Sequence, residues 1–146
     1  KKLNDSFFNN FINKTRGRFG SDLVEMKESL RYVISTKDEC KIIGLLADQS
    51  PVKNESNYWT TFLNQETSVY LGPEKISKKM NYPVLFCSMN KVKRGKYEVL
   101  IEEICTNPEK TTKGEITSLY LHKIEEKIKH KAEFWLWTHR RWKHKK

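Results

Sequence analysis

Residues 42–51, IIGLLADQSP, constrain the fold of this sequence more than any other part of it. An apolar run ends abruptly at Asp48-Gln49 and opens into a stretch with neither helical nor strand period. A short Ile- and Leu-rich run bounded by Lys41 and Pro51 reads as a strand buried on both faces, and such strands belong to parallel sheets covered by helices. The fold class expected is therefore α/β, with a mainly parallel or mixed sheet flanked by helices. Sheets of this kind bind ligands beyond the carboxyl ends of their strands, which is where Asp48 and Gln49 stand.

The flanking segments supply the rest of such a layered unit. Phe7, Phe8, Phe11 and Ile12 recur at one-turn spacing, which predicts an amphipathic helix over residues 4–15 capped near Asn4 or Asp5. A basic turn, Arg16-Gly17-Arg18-Phe19-Gly20, follows it. A short strand is expected over residues 23–26 and a helix over 28–37 with Leu30, Val33 and Ile34 inward. Residues 48–69 show no clear element, and a loop of that length in a compact domain is either functional or disordered. Tyr58, Trp59, Phe62 and Leu63 argue for a loop folded back onto the body. Gly72-Pro73-Glu74 opens a helix to about Met80, with Pro73 suited to the first turn. Strands follow at 83–89 and, with an edge-like alternation, at 96–104. Thr112 and Glu115 form a capping-box pattern ahead of a helix that runs to about Lys131. No internal repeat or linker interrupts this order, so one domain over residues 1–146 is expected.

Composition narrows the partners. The chain carries 28 Lys and Arg against 18 Asp and Glu, a net charge of +10, which draws polyanions: nucleic acid, an anionic membrane surface, a phosphorylated lipid or an acidic protein. Cys40, Cys87 and Cys105 are an odd set with no close pair, which points to buried reduced thiols rather than a disulfide framework or a zinc site. No apolar run is long enough to span a membrane, and the start has polar residues where a signal peptide needs apolar ones. The chain opens without Met and inside a helical pattern, as a piece of a longer protein would.

Four groups of residues carry possible chemistry. Arg16 and Arg18 could hold a phosphate or carboxylate by forked hydrogen bonds; the plainer reading is a solvated charge pair. Asp48 could be an orienting group, a base or a cap, and Gln49 a donor to an acyl or sugar oxygen; the plainer reading is a turn before Pro51. The tail sets Trp135, Trp137 and Trp142 beside Arg140, Arg141 and three lysines, a mixture suited to a lipid headgroup zone or to nucleic acid, with one or two tryptophans closing the core. The four histidines fall in the last helix and tail, where His122 with Glu125 is the local metal-like pair and a solvated helix surface is the plainer reading.

In order, Arg16-Gly17-Arg18-Phe19-Gly20, Leu46-Ala47-Asp48-Gln49-Ser50-Pro51, residues 58–64 (YWTTFLN), Gly72-Pro73-Glu74, Tyr82-Pro83-Val84 and residues 135–143 (WLWTHRRWK) resemble the lipid A biosynthesis acyltransferase family over nearly the whole chain. The resemblance implies a glycerol-phosphate-acyltransferase-like α/β fold. It also implies transfer of a fatty acyl chain from acyl carrier protein, or acyl-CoA, to a hydroxyl of a lipid A precursor at the cytoplasmic face of a bacterial inner membrane. In that family a His followed after four residues by an acid activates the acceptor hydroxyl. Here the corresponding positions are Lys127 after His122, Trp135 after His130 and His144 after His139.

The expectation is thus a C-terminal portion of an incomplete acyltransferase fold, lacking the N-terminal anchor and the His-x4-acid motif, with no catalytic residue of its own and inactive alone. By resemblance, Arg16, Arg18, Asp48 and Gln49 are substrate-binding, and Trp137, Arg140, Arg141 and Trp142 contact an anionic membrane surface. No cofactor or metal is implied. Acyl transfer to another glycolipid or aminolipid is the same-fold alternative, and a basic nucleic-acid-binding module is the rival of another class, disfavoured by the resemblance.

Overall fold

The computed structural model describes residues 4–52 and 58–145, and the chain divides into two units, residues 1–42 and 43–146. The first unit opens with α1 (Ser6–Gly17), whose N-terminus is capped by Asp5 accepting the Phe8 N–H at 2.8 Å. Its apolar residues Phe7, Phe8 and Phe11 are exposed. No strand forms over 23–26; a single 3-10 turn, Met26–Glu28, leads instead into α2 (Ser29–Ser35), which buries Val33. The Tyr32 hydroxyl donates to Asp22 at 2.5 Å, and Lys41 donates to the same hydroxyl oxygen at 3.0 Å while lying 3.1 Å from Glu39. The Tyr32 bond, then the Lys41 charge, hold the Asp22 carboxyl below its ordinary range. Tyr32 and then Glu39 push the Lys41 ammonium up. All of these groups are on the surface, where water screens them.

The second unit is built on two hairpins and two helices. Strands β1 (Tyr58–Phe62) and β2 (Gln65–Val69) pair antiparallel, with Phe62 opposite Gln65. The two turn residues, Leu63 and Asn64, have φ of 48° and 60°, the left-handed backbone that a two-residue hairpin turn requires. A leucine held there costs about 1–2 kcal/mol. The Leu63 N–H is anchored by Glu125 Oε1 at 2.6 Å. Helix α3 (Gly72–Met80) follows, then β3 (Val84–Lys93) and β4 (Lys96–Cys105), again antiparallel, then α4 (Glu115–His130). Lys123 ties α4 to β4 through Glu102 at 2.7 Å.

The core cluster is Phe62, Val69, Leu121 and Ile128, closed at its edges by Tyr58, Tyr120, Trp135 and Trp142. Phe62 is fully buried, with its ring centroid 6.1 Å from Trp135 and 6.3 Å from Trp142. The segment expected as an irregular loop folded back onto the body is therefore, from Tyr58 on, a hairpin, and its Tyr58 and Phe62 pack into the core.

The described residues are mixed α/β, with four α-helices and two small antiparallel sheets. Among the described residues no parallel pair forms, and residues 41–47 carry no strand; Ile42 is 93% and Leu46 84% exposed. A strand apolar on both faces needs neighbours beside it and layers above and below it, and both sheets here are local hairpins that offer neither. The same openness leaves Leu85, Met89, Val99 and Ile101 exposed on one face of the β3–β4 hairpin. It also overturns the expectation of buried thiols: Cys40 and Cys87 are exposed and Cys105 is half-buried.

The junction of α3 and α4 is the tightest polar arrangement in the unit. Glu74 is 3% exposed; its Oε1 accepts the Gly114 N–H at 2.6 Å, and its Oε2 accepts the Thr117 N–H at 3.0 Å and the Thr117 hydroxyl at 2.6 Å. Gly114 is the N-cap of α4, so a carboxylate from another helix takes amides that the first turn leaves open. The Thr112–Glu115 pattern forms only in half. Glu115 accepts the Thr112 N–H at 2.8 Å and its hydroxyl at 2.9 Å, bonds that hold its carboxyl below the usual range, but Thr112 lies two residues ahead of the cap. Gly114 has φ +87°, and a Cβ there would lie 1.9 Å from the Tyr58 hydroxyl oxygen. Glu74→Ala strands three buried donors and should lower unfolding stability by about 3 kcal/mol or more, read as a fall in melting temperature. Gly114→Ala should destabilise as well, through both the clash and the backbone strain.

Candidate functional site

The loop after residue 46 is short, polar and irregular, so its backbone groups must find partners outside it. They find them on α4 and on the closing segment of the chain. Tyr120, on α4, donates its hydroxyl to the Ala47 carbonyl at 2.9 Å. The Ser50 N–H donates to His139 Nε2 at 3.0 Å, which fixes that nitrogen as an acceptor. The Ser50 hydroxyl donates to the carbonyl oxygens of Arg140, at 3.3 Å, and of Arg141. His144 Nε2 lies 2.8 Å from the Pro51 carbonyl. Asp48 and Gln49 sit between these anchors, Asp48 half-buried and Gln49 exposed.

The closing segment can hold the loop because it is itself nailed to the β1–β2 hairpin. Trp142 stacks on Phe62 and donates its indole N–H to Thr67 Oγ1 at 2.8 Å. Arg141 donates from Nη1 to the Ser68 carbonyl at 2.8 Å, with its guanidinium carbon 5.7 Å from the Phe62 ring centre. Arg141 is 2% exposed, and burial lowers its pKa while the nearby Tyr120 and Asp48 oppose that shift. Burial in turn pushes the Tyr120 phenol up to about 12, the Arg141 charge opposing and the Asp48 charge adding. At pH 7 the arginine is charged and the tyrosine neutral.

The four tail residues expected to face a membrane thus divide. Trp137 and Arg140 are exposed, Arg141 is inside, and Trp142 is half-buried against the core. A guanidinium in this position does not reach a headgroup. His122 pairs with Glu126 at 3.5 Å rather than with Glu125, whose carboxylate serves Leu63 and Lys129. In the first unit, Arg16 lies in the last turn of α1 and Arg18 caps it; both are exposed, and Arg18 lies 4.9 Å over the Phe19 ring.

The sequence matches the model of the bacterial lipid A biosynthesis acyltransferases over residues 1–144. The chain belongs to that family. A comparison with curated proteins gives no match. Membership of the lipid A acyltransferase family makes acyl transfer the chemistry to which this chain is assigned. Among the described residues, no helix is long and apolar enough to cross a membrane.

The sequence pointed to Asp48 and Gln49, and to Arg141 only as a membrane contact; that Ser50, Tyr120, His139 and Arg141 hold the loop was not legible in it. What signal there was lay in Ser50-Pro51, whose hydroxyl and proline suit a pinned turn, and in the closing residues, where the core-facing Trp142 follows Arg141 directly. Ser50→Ala removes a hydroxyl donor from two backbone carbonyls. It should cost about 1 kcal/mol and raise amide hydrogen exchange over residues 47–50 while leaving exchange in α3 unchanged.

Proposed function

We propose that this chain is the substrate-holding part of an acyltransferase that moves a fatty acyl group from acyl carrier protein or acyl-CoA to a hydroxyl of a phosphorylated lipid A precursor. The observation that carries the reading is the clamped Asp48-Gln49 loop, a motif of the family held by side chains and carbonyls far away in sequence. Fixing a polar loop beforehand spares the ordering entropy that would otherwise weaken substrate binding and transition-state stabilisation. On this reading Gln49, exposed at the loop's crest, hydrogen-bonds the substrate, and Asp48 keeps the loop's shape.

No histidine of residues 1–146 is followed after four residues by an acid. The proton transfer that activates the acceptor hydroxyl is therefore assigned outside these residues, and residues 1–146 by themselves are expected not to turn over. The exposed guanidinium groups of Arg16 and Arg18 suit the acceptor's phosphates, and the net charge of +10 suits both a phosphorylated lipid and an acidic carrier protein. Trp137 and Arg140 are the tail residues free to meet an anionic leaflet, which fits work at the cytoplasmic face of an inner membrane.

In an enzyme containing these residues together with the family's catalytic pair, replacing Arg16 and Arg18 by Ala should raise the KM for a bisphosphorylated acceptor by tenfold or more. The KM for acyl carrier protein should change little. Unchanged acceptor kinetics would exclude both arginines from acceptor binding. Trp137→Ala with Arg140→Ala should weaken flotation with anionic liposomes and leave flotation with neutral ones as it was. Absence of any acyl transfer to lipid A precursors by that enzyme would sink the reading.

A further inference from the structure

Arg141 is the least satisfied buried group among the described residues. Its Nη1 is bonded to the Ser68 carbonyl, but Nε and Nη2 are buried with no hydrogen-bond partner among the described residues. These two nitrogens lie on one edge of the planar guanidinium, so the unused donors form a fork with the spacing of two oxygens on a single carboxylate or phosphate. Burying a charged fork without an acceptor is expensive, and the Phe62 ring offers only its face.

Two carboxylates influence this region. Glu74 acts on Tyr120, but both its oxygens are spent on Gly114 and Thr117. The Asp48 carboxylate makes no hydrogen bond or ion pair with another described residue, yet its charge is felt by both Arg141 and Tyr120. Its backbone neighbours already converge on the same place. Ala47 is bonded by Tyr120, and Ser50 is bonded to the carbonyl of Arg141 itself. The backbone on either side of Asp48 is thus tied to Tyr120 and to the residue that carries the unused fork.

We propose that Arg141 is the positioning residue of the Asp48-Gln49 loop, its Nε–Nη2 fork receiving the Asp48 carboxylate as a bidentate pair that sets where Gln49 stands. The pair locks the loop from its inner side, while Ser50 and Tyr120 hold its backbone. That the locked loop serves acyl transfer rests on the function proposed above; the pair itself does not.

The test uses the full chain and reads structure, not turnover, so it succeeds or fails independently of the acyltransferase assay. Arg141→Lys, which keeps the charge and loses the fork, Asp48→Asn, and the double variant are compared by thermal melting. Each single change is expected to lower the melting temperature by about 5 °C, and the double variant to fall no further than the worse single one. Strictly additive shifts overturn the pair. Should R141K fail to fold, the Asp48→Asn protein still decides. The Arg141 Nε–H resonance is expected to exchange slowly in the parent, and to move and exchange faster in D48N but not in Gln49→Ala; an unmoved resonance in D48N overturns the proposal. Inorganic phosphate, titrated against chloride at matched ionic strength, should give no Arg141-dependent rise in melting temperature. A rise that vanishes in R141K would show that the fork takes an external oxyanion and would overturn Asp48 as its occupant.

Discussion

The larger unit depends on one buried carboxylate. Glu74 reaches from the first turn of α3 to cap the first turn of α4, and all three of its contacts are donors that would otherwise be buried without acceptors. This makes α3 and α4 a single block, and α4 in turn carries most of what matters downstream: Leu121 and Ile128 in the core, Glu125 under the hairpin turn, and Tyr120 over the Asp48 loop. A buried carboxylate is tolerable here because its oxygens meet N–H and O–H groups at the positive end of a helix, which substitute for water. The cap also explains the glycine at 114. Only a residue without a Cβ can hold that backbone angle while Tyr58 closes over it.

The closing segment is the second consequence of the core. Phe62 is enclosed by Trp135 on one side and Trp142 on the other, so residues that look like a basic, aromatic tail are the last wall of the interior. Burying Trp142 forces its neighbour Arg141 inward and turns the Arg140 and Arg141 carbonyls toward Ser50. Packing energy thereby sets the geometry of a polar loop. The clamp joins the side chains of Tyr120, His139 and His144 with the carbonyls of Arg140 and Arg141, so it depends on where the closing segment runs as well as on what it carries.

Helical periods were legible in the sequence because local signals mark them: Asp5 ahead of α1, Pro73 in the first turn of α3, and the spacing of Ile116, Leu119, Tyr120, Ile124 and Ile128 along α4. The β3 and β4 strands were legible for the same reason, β3 through a local apolar run and β4 through local alternation. What could not be read was anything set by distant partners. The run at 42–47 has the composition of a central strand, but composition cannot supply the neighbouring strands that make one. The β1–β2 hairpin was hidden because its turn is Leu63-Asn64 rather than a glycine pair, and because the backbone strain there is offset by Glu125, 62 residues away. Of the site, Asp48 and Gln49 were visible as a sharp change in polarity. Their supports were not, since Tyr120 and Arg141 look in sequence like one more helix aromatic and one more tail cation.

Two buried charges invite comparison, because they share a neighbourhood and differ in how completely they are satisfied. Glu74 has every oxygen engaged, and such a group rigidifies a fold and offers nothing further. Arg141 has one nitrogen bonded and two idle. A fold that needed only an anchor for the Ser68 carbonyl could use a neutral donor at far lower desolvation cost. Retaining a full guanidinium in the interior makes physical sense if its remaining edge has a partner that arrives with the loop. The saturated charge therefore belongs to the scaffold and the unsaturated one to the clamp around the loop, and Tyr120 joins the two, packing on the core and bonding the loop.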